Sequence, residues 1–431
     1  MKRLFAALLT LLLIFGLGLP ALALEEATYV IANPYEDVVW SGDGAWGAYM
    51  GNLHTHTTFS DGTEDMKTMV EEYYAQGYDV LANADHGVVS KPWDQAPQTI
   101  FLLHLPNISR THELLTAERV KEINDGKNRD DRGMLQVPMG IELQAATVFK
   151  SHVVGLYGGW GQGWIGSSAD FRIPIAATER AGGVTWIAHP GDWVKSEHNP
   201  AAAKDPAYVN YFADILRDYK TCLGIEIYNG SDGPTRQDRA LWDQLLMRLS
   251  PEKQSVWGFA VDDSHNTNDI GRTATIHFMP SNTTDNVRTS IETGAFLACS
   301  RRDRIRLPEF VGEKDVPYPG ITNITISDDK TKITLEANNY TEIEWIAEGE
   351  IVGTGLEIDL TNPEITCYVR AQLIGEGGIT ATQPFGVDKG DGYKHPDDSL
   401  KGLDKFRWTI NLYLTKNVFG WIVENVAKLF N

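Results

Sequence analysis

The chain has 431 residues, 42% hydrophobic and 22% charged, and its 38 basic against 58 acidic side chains give a formal charge of −20. That composition excludes wholesale disorder and leaves room for two or three domains of ordinary size. Such acidity repels phosphate backbones, which excludes long nucleic acid as the expected partner but leaves a small anionic substrate open.

Residues 1–23 open with Lys2 and Arg3, run through an apolar stretch from Leu4 to Leu19 and end in Pro20-Ala21-Leu22-Ala23. A positive start, a short apolar core and a small-x-small site read as a secretory signal peptide, so the mature chain is expected to begin near Leu24 and to be secreted or extracytoplasmic. Cys222, Cys299 and Cys367 lie far apart and form no CxxC. They are expected as free buried thiols rather than as a disulfide scaffold or a zinc ribbon.

Residues 24–307 are expected to form an α/β barrel. Apolar runs alternate with helical stretches: Asn52–His56 then Thr63–Gln76; Tyr78–Ala84; Ile141–Leu143; His152–Tyr157; Gly183–His189 then Ala207–Tyr219; Leu223–Tyr228 then Thr235–Leu249; Val256–Asp263. Repeated strand and helix argue for parallel strands, right-handed crossovers and closure after roughly seven units. Residues 308–320 are polar and proline-punctuated, as a linker would be. In residues 321–387 the pattern shortens to alternating apolar and polar positions, which fits a small all-β, immunoglobulin-like sandwich. A second linker, 388–399, leads to residues 400–431, where Trp408, Leu412, Phe419, Ile422, Val426 and Phe430 mark one face of an amphipathic helix. No apolar run of roughly 18 residues occurs in this tail, so it is not expected to span a bilayer. Docking onto its own domains, self-association and peripheral membrane binding are the readings open to it.

Chemistry-bearing residues gather where the apolar runs end. His54-Thr55-His56 puts two imidazoles at i and i+2, on one side of an extended chain, and Ser60-Asp61-Gly62 adds a carboxylate just beyond. Asp85-His86 ends the second run, Glu142 stands alone in Ile141–Leu143, and His152 and His189 flank the next two. Glu226 sits inside Leu223–Tyr228, and Asp263 and His265 are again i and i+2, with Asp262 facing away. A glutamate in an apolar run is costly unless paired or metal-bound, and mixed imidazole and carboxylate sets suit zinc, manganese or iron. Asp85 is placed to orient His86, while Asp262, Glu226 and Asn229 read as supporting groups or proton carriers. Arg272, Arg301 and Arg302 read equally as a phosphate clamp or as structural residues. No Gly-x-Ser-x-Gly, reactive-looking cysteine or Gly-rich phosphate loop supports another mechanism.

In Asn52-Leu53-His54-Thr55-His56-Thr57-Thr58-Phe59-Ser60-Asp61-Gly62, Ala84-Asp85-His86, Gly140-Ile141-Glu142, Ser151-His152, Ala188-His189-Pro190 and Asp263-Ser264-His265 the chain resembles the polymerase and histidinol phosphatase (PHP) superfamily. The resemblance covers residues 50 to about 300 and implies a distorted seven-stranded (β/α) barrel. Ala298-Cys299-Ser300 and Tyr368-Val369-Arg370-Ala371 are similar to a secreted, carbaryl-hydrolase-like branch. The family implies three divalent ions: one on His54, His56, Glu142 and Asp263, one on Glu142, His152 and His189, and one on Asp61, His86 and His265, with Glu142 bridging. Some members carry a histidine where Asp61 stands. The implied catalytic residues are Asp85, Glu142 and His265, and the implied reaction is hydrolysis of a small phosphomonoester or phosphodiester by metal-bound hydroxide. Carbamate or carboxylic ester hydrolysis at the same centre is one alternative. A non-catalytic, metal-stabilised secreted binding protein is another.

Overall fold

The computed structural model describes residues 29–99, 107, 109–144, 150–164, 166, 170–306 and 308–415. The expected signal peptide and residues 416–431 of the tail lie outside the described residues. Strands β1 (Val30–Ala32) and β2 (Gly47–Asn52) precede helix α1 (Met66–Ala75), β3 (Val80–Leu81), α2 (Ala117–Asn124), β4 (Leu135–Gln136), β5 (Ile141–Leu143) and β6 (Val153–Leu156). Then come α3 (Arg172–Arg180), β7 (Val184–Ile187), α4 (Pro190–Val194), α5 (Pro206–Asp218), β8 (Cys222–Asn229), α6 (Asp238–Leu249) and β9 (Trp257–Val261). Strand β10 (Thr273–Met279), α7 (Thr284–Thr293) and β11 (Phe296–Ser300) complete this part.

Local chemistry sets these elements. Asp65 caps α1 by accepting from Thr68 N at 2.9 Å, and Met66, Met69, Val70 and Tyr73 then turn one face of the helix into the core. Strands β6, β7 and β9 are buried at every residue, which is why they read as unbroken apolar runs.

The ladders β2-β3-β4 and β7-β8-β9 are parallel, as expected. The expectation of parallel pairing throughout needs correction, because β5, β6 and β7 pair antiparallel. Residues 144–152 are too few for a crossover, which takes a dozen or more, so the chain doubles back. Two isolated parallel bridges, His86 with Glu142 and Thr55 with Ser264, tie the β2 sheet to the β5–β9 sheet. Through ladders and bridges together, β2, β3, β5, β6, β7, β8 and β9 follow one another in space.

Beyond the short pair β12 (Arg302–Asp303) and β13 (Phe310–Val311), strands β14 (Gly320–Ile326), β15 (Lys332–Asn338) and β18 (Glu357–Asp359) form a three-stranded antiparallel sheet. Strands β16 (Glu342–Ala347), β17 (Glu350–Thr354), β19 (Tyr368–Gly375), β20 (Gly378–Ala381) and β21 (Phe385–Asp388) take a different course from a free-standing sandwich. Strand β20 pairs with β19 on one side and with β11 on the other, and β21 pairs with β1. The sheet that holds β2 therefore continues into the C-terminal strands. Short alternating strands identify a half-buried sheet but not the edge each one will meet. Helix α8 (Gly402–Thr415) follows.

A buried ion pair fastens the two parts. Arg370 of β19 donates to both Asp243 oxygens of α6, at 2.9 and 2.8 Å, and Tyr368 donates to Asp243 at 2.9 Å. Arg370→Met leaves Asp243 buried with two of its three hydrogen bonds gone, and is expected to cost about 3–5 kcal/mol. Urea unfolding midpoints at constant m-value check this, and an unchanged midpoint would contradict it.

Candidate metal centre

The site lies where the two sheets meet. His54 and His56 sit just past β2, His86 past β3, Glu142 within β5, His152 before β6, His189 past β7, and Asp263 and His265 past β9. The expected strand over 52–56 stops at Asn52, and extended residues beyond it carry the two histidines. Two glycines permit the close approaches this needs. A Cβ at Gly62 would lie 2.7 Å from the Thr57 nitrogen, and one at Gly140 would lie 2.2 Å from the Asn83 oxygen.

Four side-chain atoms converge first. His54 Nε2 and His56 Nε2 are 3.1 Å apart, each stands 3.4 Å from Glu142 Oε2, and Asp263 Oδ1 is 3.4 Å from the former and 3.1 Å from the latter. Ligands about 2.0–2.1 Å from a tetrahedral ion are about 3.3 Å apart, so these spacings fit one ion. Around Glu142 Oε1 lie His152 Nδ1 at 2.9 Å and His189 Nε2 at 3.0 Å. Asp61 accepts the third approach, with His86 Nε2 and His265 Nε2 each 3.4 Å from one of its oxygens. His86 also brings Nδ1 to 2.9 Å from Glu142 Oε2, and His56 Nδ1 is 3.5 Å from Asp61, so both rings stand between neighbouring groups. Three sets of atoms among the described residues are close enough to hold an ion: His54, His56 and Glu142; His86, Glu142 and His152; and His56, Asp61, His86 and His265. All nine residues named from the sequence are thus brought together, with His86 and His56 shared more widely than the three implied sets.

The fit to a metal has independent support. His152 Nε2 and His189 Nδ1 are buried without a hydrogen-bond partner, while His86 Nδ1 and His152 Nδ1 meet Glu142 oxygens at 2.9 Å. Orphaned imidazole nitrogens in a protein interior are costly, and ligation is the ordinary way to satisfy them. His189 also takes a left-handed backbone (φ 27°) where β7 turns into α4, a conformation that local sequence alone disfavours.

Supporting groups differ in part from expectation. Glu226 is fully buried and accepts from His54 Nδ1 at 2.8 Å, Trp186 Nε1 at 3.1 Å, His189 N at 2.8 Å and Asn229 Nδ2 at 2.9 Å. Asn229 also donates to Asp263 Oδ2 at 3.1 Å. Asp85 does not orient His86. It accepts from Thr57 N at 2.7 Å, Thr57 Oγ1 at 2.8 Å and Ser60 Oγ at 2.6 Å, fixing the turn that presents Asp61. Adjacent residues of an extended chain face opposite ways, which separates Asp85 from His86. Asp262 is bound by Tyr73, Gly271 N and Thr273 N, and burial pushes its carboxyl up to about 6. His265 Nδ1 bonds the Asp263 carbonyl at 2.9 Å and its Nε2 faces Asp61, so its geometry is that of a ligand. The three arginines are engaged elsewhere: Arg272 with Asp269, Arg302 with Glu309, and Arg301 with backbone carbonyls and the Tyr318 ring. The roles of Thr57, Ser60 and Trp186 were not read from the sequence, because such residue types are common in purely structural settings.

Burial favours neutral forms throughout, but opposite charges prevail. The imidazoles of His152, His86 and His54 hold the Glu142 carboxyl well below its ordinary range, and His54 and His56 do the same for Asp263. His189, facing Glu142, and His265, facing Asp61, rise to about 9, whereas burial lowers His152. Carboxylate neighbours raise His54 and His86 as well, so without ions these four imidazoles favour the protonated form and an ion must displace those protons. Apparent metal affinity is expected to rise with pH through the range where these groups titrate, by about tenfold per pH unit for each displaced proton. Calorimetry in buffers of different ionisation enthalpy reads the released protons, and binding without release would contradict the assignment.

No protein-family model matches the chain, and no curated protein matches it. Solved structures do. A two-domain protein from Bacteroides vulgatus containing a predicted PHP-like metal-dependent phosphoesterase is 15% identical, covers 80% of this chain and 88% of its own, and has a TM-score of 0.42. The chain resembles PHP-like proteins. The lesion-specific endonuclease EndoQ of Pyrococcus furiosus is 12% identical over 57% of this chain and 56% of its own, with a TM-score of 0.35. An amidohydrolase from Chromobacterium violaceum, solved with bound sulfate, is 14% identical over 50% of this chain and 87% of its own, with a TM-score of 0.29.

Proposed function

We propose that the chain is a secreted PHP-type metal-dependent phosphoesterase acting on a small phosphomonoester or phosphodiester at a centre of three divalent ions. The observation that carries this reading is the set of 3.1–3.4 Å spacings among His54, His56, Glu142 and Asp263, with a third carboxylate, Asp61, held beside it by His86 and His265. Zinc, manganese or iron held there lowers the pKa of a coordinated water and polarises a phosphoryl oxygen. The chain's own residues do the rest. Glu142 keeps five imidazoles around one carboxylate, and Glu226 and Asp85 fix the rings and the Asp61 turn. His54, His56 and Glu142 are sealed from solvent, whereas Asp61 and His265 are 38% and 34% exposed, so substrate enters from their side. Three carboxylates against three divalent ions leave a net positive pocket in an acidic chain, which recruits anions.

The test compares p-nitrophenyl phosphate, its bis-ester and p-nitrophenyl acetate with protein purified without chelator, its metal counted by mass spectrometry. Turnover of a phosphate ester that His54→Ala abolishes is expected. Turnover of the acetate alone, or fewer than two ions per chain with folding indifferent to chelation, would overturn the reading.

A further inference from the structure

Helix α8 is apolar on two opposite faces. Trp408 packs on α5, its ring centroid 5.8 Å from those of Tyr208 and Tyr211, and Leu412 joins the same cluster. Leu403, Phe406, Ile410 and Leu414 are 70%, 62%, 44% and 55% exposed. At about 100° per residue these four fall within an arc of roughly 80°, opposite Trp408 and Leu412. Docking has thus consumed one apolar face and left the other in water. Single exposed apolar residues are ordinary, but an aligned stripe marks a contact surface.

We propose that this outer face of α8 rests on an anionic lipid surface. Charge selects the occupant. Over residues 401–431 the basic side chains are Lys401, Lys405, Arg407, Lys416 and Lys428 and the acidic ones Asp404 and Glu424, a balance of 5 − 2 = +3 in a chain of −20. A second copy would set one positive segment against another, whereas acidic headgroups complement it and acyl chains accept the stripe. The sequence beyond α8 supplies Phe419, Trp421, Ile422, Val426 and Phe430, further apolar and interface-favouring side chains. No helix among the described residues is long and apolar enough to cross a membrane, so the contact proposed is peripheral.

The test uses the full chain carrying Phe406→Cys, labelled with a nitrobenzoxadiazole dye; Cys222, Cys299 and Cys367 are buried and do not compete. A second preparation carries the label at Lys330→Cys, on an exposed turn remote in sequence from the tail. Vesicles of phosphatidylcholine and phosphatidylglycerol contain a doxyl quencher in the acyl chain. Quenching at 406 several-fold above that at 330, weaker with phosphatidylcholine alone, is expected. It disappears when Leu403, Ile410 and Leu414 are replaced by Asp, with circular dichroism and melting temperature unchanged. Equal or no quenching at the two positions overturns the proposal. So does a blue shift at 406 that grows with protein concentration and ignores vesicles, the signature of a second copy.

Discussion

Glu142→Gln is expected to lower the proposed turnover by about 10³-fold or more and to remove at least one ion per chain. The substitution preserves volume and changes only what the side chain offers. One oxygen of Glu142 lies 2.9 and 3.0 Å from nitrogens of His152 and His189, and the other lies 3.4, 3.4 and 2.9 Å from nitrogens of His54, His56 and His86. An amide has a single acceptor oxygen, so either pair or trio of imidazoles would then face an NH2 group that cannot bind a cation. Loss of the negative charge also leaves the rings without the carboxylate that now draws them together. Mass spectrometry of the purified variant gives the ion count and the phosphate ester assay gives the rate. Turnover within about tenfold of the parent, with full metal content, would exclude Glu142 as the bridge.

Glu226→Gln acts from one layer further out, and metal affinity is expected to fall about 10–100-fold. All four groups that meet this carboxylate are donors: His54, Trp186, the His189 amide and Asn229. Glutamine must turn its own NH2 toward one pair of them, so two donors lose their acceptor in a dry interior. If the NH2 faces His54, the ring loses the bond that fixes its tautomer, and Nε2 is no longer held ready for an ion. A stepwise metal titration should show the loss in the tightest phase, with turnover recovering as metal is raised. An unchanged titration would make Glu226 a packing residue. A loss that metal cannot rescue would mean that the fold had failed instead.

The clustered histidines and carboxylates were legible because they obey short-range rules. His54 with His56 and Asp263 with His265 are pairs at i and i+2, and extended chain puts such pairs on one side whatever surrounds them. Asp85 shows where those rules end. Its neighbour His86 suggested a partner, but its bonds go to Thr57 and Ser60, and short polar side chains acquire a role only once another segment is near. The reversal at β5–β7 was hidden for a similar reason. Val153–Leu156 is apolar at each position whether it pairs parallel or antiparallel, and only the short return from β5 decides it. Register across long separations, as between Ala298 and Ala381, leaves no mark in either segment.

Strand β20 joins β11 to β19, and β11 lies against β10, which lies against β2. His54, the first residue of the candidate metal centre, stands two positions past β2, so only two strands separate β20 from the strand that leads into it. Cutting the chain in the proline-punctuated segment would strip β11 of its neighbour and expose a row of unpaired amides and carbonyls. The C-terminal strands thus act as the hem of the sheet beneath the site. A trimmed chain would fray and stick to its own copies before the side-chain cluster itself came apart.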